Sequence, residues 1–154
     1  MATYDWAMCN KNTGQIEYIM SVNNNSDYSQ AGFYGEYRTF EIESDADHTK
    51  AIEESYYDYD SSIFKARSKQ PTAYYVWTTD KQWAVDDTAL MADLRQQRTI
   101  KLVLSDWTQM ADSPLTDEKK AEWATYRQSL RDITEDVSDS LDTLENFAWP
   151  TEPS

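Results

Sequence analysis

Between Ser105 and Thr134 the chain reads SDWTQMADSPLTDEKKAEWATYRQSLRDIT, and the C-terminal half folds as this stretch dictates. Asp106, Trp107 and the Asp112-Ser113-Pro114 turn stop any helix arriving from upstream, since proline lacks a donor and restricts the residue before it. Thr116 is a helix N-cap, with Asp117 and Glu118 in the first turn, where carboxylates complement the helix dipole. Trp123, Tyr126, Leu130 and Ile133 then recur at steps of three and four, which makes one apolar stripe. A second helix therefore follows the loop. If it returns antiparallel to the first, Trp107, Trp123 and Tyr126 converge, and Arg127 and Arg131 come near Asp106 and Asp112.

Upstream, Asp86-Asp87 opens a segment rich in Ala, Leu, Met, Arg, Gln and Lys that runs to about Leu104, a composition that favours helix. Met91, Leu94 and Leu102 fall at helical spacing, with Arg98 in the same stripe. Residues 84–134 thus read as a helical hairpin. Downstream, Val137, Leu141 and Leu144 extend the stripe through a segment crowded with Asp132, Glu135, Asp136, Asp139, Asp142 and Glu145. Pro150 and Pro153 forbid helix beyond Trp149, so residues 135–154 read as an acidic amphipathic segment with an extended Trp-Pro tail.

The first half has another character. Residues 4–9 and 16–22 are aromatic and branched, with Asn10 to Gly14 between them, which predicts a β-hairpin. The polar run from Asn23 to Asp27 breaks the pattern, and the segment holding Gly32 and Gly35 reads as loop. Arg38 to Glu43 alternates as a half-buried strand. Ser44 or Asp45 is the expected cap of a short helix through Ala51, Ile52 and Tyr56. Strands follow at 74–78 and 83–85, around an Asp80-Lys81-Gln82 turn. The expected fold class is α+β: an N-terminal β-rich lobe over residues 1–83, then the helical hairpin and the acidic tail.

The 28 acidic residues against 14 basic ones give a formal charge of -14. That opposes approach to nucleic acid and to anionic lipid. Cys9 is the one cysteine, so no intrachain disulfide forms, and no apolar run is long enough to span a bilayer. His48 stands alone, which leaves a Ser-His-Asp site or a two-histidine metal site little to build on. The Asp58-x-Asp60-x-Ser62 run lacks the glycine and the terminal glutamate of a calcium loop. Carboxylate pairs such as Asp58/Asp60 and Asp86/Asp87 arise by chance at this acidity and read as solvated or capping groups. No catalytic, cofactor or metal site is expected.

The Ser-Asp-Trp-Thr loop, the Asp-Ser-Pro-Leu turn, the Trp-Ala-x-Tyr-Arg-x-x-Leu-Arg-Asp-Ile helix and the Trp149-Pro150 end resemble the phage tail assembly chaperone and tail-fibre assembly protein family, over roughly the last third of the chain. The resemblance implies a tail-associated protein that acts by binding other proteins, either as an assembly chaperone in the host cytoplasm or as a structural tail or fibre component of the virion. Its implied partners are tail or tail-fibre proteins, and further copies of itself if it oligomerises. A receptor-directed carbohydrate-binding or glycoside-hydrolysing tail protein is the alternative.

Within the motif, Asp106, Trp107, Asp112, Pro114, Trp123, Tyr126, Arg127, Leu130 and Arg131 are read as specifying the hairpin fold and not as touching a partner. Val137, Leu141, Leu144, Phe147 and Trp149 are the expected partner-binding residues, because together they are more apolar surface than a free acidic tail should expose. Tyr28, Phe33, Tyr34, Tyr37, Tyr56, Tyr57 and Tyr59 exceed what a small lobe can bury, so some of them are expected at a surface.

Overall fold

The computed structural model describes residues 3–23, 28–43, 46–135, 137 and 141–154. It is α+β, with strands in the N-terminal part and the long helices in the C-terminal part. The chain divides into two compact units, one of Met1–Pro71 with Tyr75–Ala84, the other of Thr72–Tyr74 with Val85–Ser154.

The first unit is built on a four-stranded antiparallel sheet. Strands β1 (Tyr4–Asn10), β2 (Ile16–Val22), β3 (Gly32–Tyr34) and β4 (Tyr37–Ile42) lie in the order β2-β1-β4-β3. Central β1 is buried on both faces: Trp6 and Met8 point one way, Ala7 and Cys9 the other. The Ala7 and Cys9 face meets Ile16 and Phe40 to form the core, with Ile19, Ile42, Ala51, Ile52, Tyr57, Tyr59 and Phe64 packed around it. Burial pushes the Cys9 thiol up to about 12, which keeps it protonated.

The β1–β2 turn is set by Asn10. Its side-chain oxygen accepts from the backbone N–H groups of Asn12 and Thr13, and its carbonyl accepts from Gly14. Gly14 sits at φ +72 and its carbonyl accepts from Tyr57 N at 2.8 Å, so this turn also receives the next element.

That element is helix α1 (His48–Glu54), followed by a hairpin of β5 (Ser55–Asp58) and β6 (Ile63–Ala66). The N-cap of α1 is Asp47, whose carboxylate accepts from Lys50 N. Ser44 and Asp45, expected in that role, lie outside the described residues. The helix also ends before Tyr56, contrary to the sequence reading. Tyr56 and Asp58 are buried at alternate positions of a strand, a two-residue period that the surrounding polar residues hide. The segment with Gly32 and Gly35 is likewise strand in part, because three residues suffice to pair with β4 at the sheet edge.

A last hairpin, β7 (Tyr75–Trp77) and β8 (Trp83–Val85), leads into the second unit. Arg67 lies between its indoles, 5.1 Å from the Trp77 ring and 4.8 Å from the Trp83 ring. Asp58, buried, takes both Lys65 and Lys81 as well as the Ser61 hydroxyl, and so ties the β5–β6 hairpin to the β7–β8 turn. The Lys65 and Lys81 ammonium groups and that hydroxyl hold its carboxyl far below the usual carboxylate range. His48 Nε2 lies 3.0 Å from Asp5 Oδ2, and Ser21 donates to the same carboxyl. These two bonds hold Asp5 below its ordinary value too, the Ser21 bond contributing most.

The second unit contains helix α2 (Asp87–Leu104), a 3-10 turn over Asp106–Gln109, and helix α3 (Asp117–Asp132). Asp86 caps α2 by accepting from Ala89 N, and Thr116 caps α3 by accepting from Lys119 N. Leu90 and Leu94 form one buried cluster on α2, and Trp123, Tyr126 and Leu130 form another on α3, against Leu102 and Leu115.

Two outcomes test this architecture. A Cβ at Gly14 would sit 1.9 Å from the Tyr57 carbonyl oxygen, whereas one at Gly35 meets nothing. In urea titrations Gly14→Ala should therefore cost about 1–3 kcal/mol from overpacking, on top of a left-handed backbone penalty of roughly 1 kcal/mol that Gly35→Ala alone bears. Equal losses would mean that the turn does not meet β5 as described. The second outcome is acid-linked. Since Asp58 is depressed in the folded state, its contribution is full above the unfolded carboxyl value of about 3.9 and is lost as pH falls below it. Asp58→Asn should flatten the fall of stability below about pH 4.

Candidate functional site

Helix α2 ends with carbonyls that have no partner within the helix. Ser105 closes part of that gap: its N–H and its hydroxyl both donate to the carbonyls of Lys101 and Leu102. Arg127, reaching across from α3, adds a further donor at the same end. Its Nη1 donates to Leu102 O at 2.6 Å and to Ser105 Oγ at 2.7 Å, and its Nη2 donates to Asp106 Oδ1 at 2.6 Å. A cation is thereby placed at the negative end of the α2 dipole, and one planar group joins both helices and the loop. Thr108, fully buried, donates to Ser105 O at 2.7 Å, which fixes the 3-10 turn.

The aromatic part of the motif packs beside this network. Trp123 and Tyr126 are buried, with ring centroids 5.6 Å apart and edge-to-face. Trp107 lies 6.2 Å from Trp123 and leaves 45% of its surface exposed. Leu130 is fully buried beneath them. Asp112 and Pro114 are exposed on the connecting turn. Arg131 is exposed as well and donates to Gln128 on its own helix, so it is not among the groups gathered around Arg127. Sequence reasoning paired Arg127 with Asp106 but missed Leu102 O and Ser105. The available signal was that basic side chains can hydrogen-bond the last carbonyls of a helix, which made the end of α2 a candidate target for Arg127.

The residues expected to bind a partner pack within the second unit. Leu144 is buried against Leu90 and Leu94, and Val137, Leu141, Phe147 and Trp149 pack around the same cluster, together with Tyr74 and Val85. Trp149 also touches the α3 cluster, and Lys101 Nζ lies 5.1 Å over its ring. Of these side chains Leu144 is buried, while Val137, Leu141, Phe147 and Trp149 pack on α2 within the same unit and stay half-buried. The sequence reading treated the α2 stripe as already satisfied by α3. In the structure that stripe is wide enough to take the tail as well.

What stays uncovered lies on the other side of α2. Ile100, Val103, Leu104, Trp107 and Met110 are each between 45% and 69% exposed. The spacing of the first three, at steps of three and one, puts them on one face of α2, and Trp107 and Met110 follow in and after the 3-10 turn. In the first unit the aromatic surplus splits. Tyr56 and Tyr57 enter the interior, with Tyr57 stacked on Phe40 at 3.6 Å, while Tyr59 packs beside them. Phe33 is 70% exposed beneath the Arg38 guanidinium, and Tyr34 is exposed beside Tyr28.

The guanidinium network makes a graded expectation possible. Arg127→Lys keeps the charge but cannot reach all three acceptors, and should cost about 2–3 kcal/mol in chemical denaturation. Asp106→Asn, whose side chain is 62% exposed, should cost under about 1 kcal/mol. Comparable losses would show that the ion pair, and not the closure of the α2 end, holds the loop.

No curated protein and no solved structure matches the chain. Residues 91–154, from the first turns of α2 to the last residue, match the family model described as phage tail assembly chaperone protein, the family that the Ser-Asp-Trp-Thr and Trp-Ala-x-Tyr-Arg residues of this stretch resemble.

Proposed function

We propose that this chain is an assembly chaperone that holds another protein during construction of the phage tail or its fibres, and that it acts by contact and not by catalysis. One observation carries the reading. The segment that matches the family spends its polar motif residues on each other, yet leaves Ile100, Val103, Leu104, Trp107 and Met110 in water. A contiguous apolar patch on an otherwise strongly charged protein marks an interaction site. The patch stands on a frame that is already rigid, which lowers the entropy lost on binding.

The carboxylates support the non-enzymatic side. Asp58 is neutralised by two lysines, Asp5 is held by Ser21 and His48, and Asp47 and Asp86 cap helices. Each has a structural partner where a glycosidase would need a free acid and base across a cleft. The charge of -14 disfavours nucleic acid as the partner. Among the described residues no helix is long and apolar enough to cross a membrane, which suits work in the host cytoplasm while tails are built.

The deciding experiment deletes the coding sequence from its phage and restores it in trans. Particles without tails or fibres are expected from the deletion, with recovery on complementation. Mass spectrometry of purified virions should then lack the chain, as expected for a chaperone that leaves. Normal particles from the deletion would remove the assembly role, and stoichiometric retention would make the chain a structural tail component instead.

A further inference from the structure

We infer that the exposed face of α2 receives a helix of a different protein, apolar along one side and flanked by lysine or arginine. This rests on the assembly reading above and adds the chemistry of the partner.

The shape comes first. Ile100, Val103 and Leu104 form a ridge on the last turns of α2, and Trp107 and Met110 prolong it through the 3-10 turn. Residues at such steps pack against the grooves of another helix. Earlier on the same face stand Ala89, Ala92 and Gln96, small or neutral residues that let a partner helix approach along the axis. Trp107 is the natural anchor. One side of its ring rests near Trp123, and its loop is pinned by Ser105, Thr108 and Arg127, so a large aromatic surface is held ready at little cost in freedom.

Charge then selects the occupant. Asp93, seven residues before Ile100 and so on its face, is exposed at one end of the ridge, while exposed Asp112 stands in the loop at the other, beyond Asp106, whose charge is matched by Arg127. Of the cations of α2, Lys101 lies over Trp149 and Arg98 is half-buried, while exposed Arg95, three residues after Ala92 and eight before Val103, borders one side of the ridge. The ridge is therefore apolar with acids at its two ends. A second copy would bring the acids at the ends of the ridge, Asp93 and Asp112, against acids and join two bodies of charge -14. A basic-flanked helix meets the apolar ridge and the acids at its ends together.

The test uses the full chain and two labelled probe peptides of identical apolar face, one flanked by lysines and the other by glutamates, with binding read by fluorescence anisotropy. The lysine-flanked peptide should bind, more weakly as salt rises, and the glutamate-flanked one at least about tenfold less tightly. Leu104→Glu, at a position 69% exposed, should leave the circular dichroism and melting curve unchanged and weaken the lysine-flanked peptide by about tenfold or more. Failure of both peptides to bind, or equal binding of the two, overturns the proposal. So does a dimer in sedimentation equilibrium that Leu104→Glu dissolves, since the occupant would then be a second copy. Phage complemented with Leu104→Glu separates the levels: normal tails would refute this surface while leaving the assembly role intact, whereas normal tails without the chain refute the role itself.

Discussion

The second unit depends on one guanidinium. A helix end is a set of carbonyls that must find donors, and α2 ends where its chain has to turn toward α3. Arg127 meets that requirement from the opposite helix, so the loop between them has a single arrangement that satisfies Leu102 O, Ser105 Oγ and Asp106 at once. The Ser-Asp-Trp-Thr and Tyr-Arg parts of the motif are one device in consequence. Ser105 and Arg127, 22 positions apart in sequence, form a single cap in space.

That cap explains how α2 can be apolar on two faces. The face with Leu90 and Leu94 takes Leu144 and its neighbours. The other face carries Ile100, Val103 and Leu104 in water. A helix of this kind could rotate to bury either side, and the penalty for doing so is set at its end, where Arg127 and Ser105 fix the orientation of the last turn. The exposed ridge is thus held out by polar geometry and not by any weakness of its hydrophobicity.

How much of this was legible follows from the same contrast. The helices, their caps at Asp86 and Thr116, and the Trp123, Tyr126, Leu130 stripe were readable because each is a local signal within a few residues. The partner of the tail was not. Val137, Leu141, Leu144, Phe147 and Trp149 announce that they need cover, but periodicity within α2 does not say which of its two apolar faces provides it. The same holds in the first unit. The β1–β2 hairpin announced itself through Asn10 and Gly14, while the start of β5 was read as the end of a helix reaching Tyr56, because the burial of Tyr56 and Asp58 is set by distant residues: Trp77 beside the ring, and Lys81 on the carboxylate. Asp58, which looked like one more surface acid, is buried only because two lysines come to it from other strands and turns. His48 and Asp5 met for the same reason, forty-three positions apart.

The acidity of the chain also takes a definite meaning from these placements. Where acids are buried they are matched, as at Asp58 and Asp5, and where they stand at helix starts they act on the dipole, as at Asp47, Asp86 and Asp117. Those uses cancel locally, and the excess remains at the surface. An excess of one sign keeps copies of the same chain apart, which matters most for a protein that leaves apolar side chains in water. The negative charge and the exposed hydrophobic face therefore act together: the first disfavours self-association through the second and favours a partner of opposite charge.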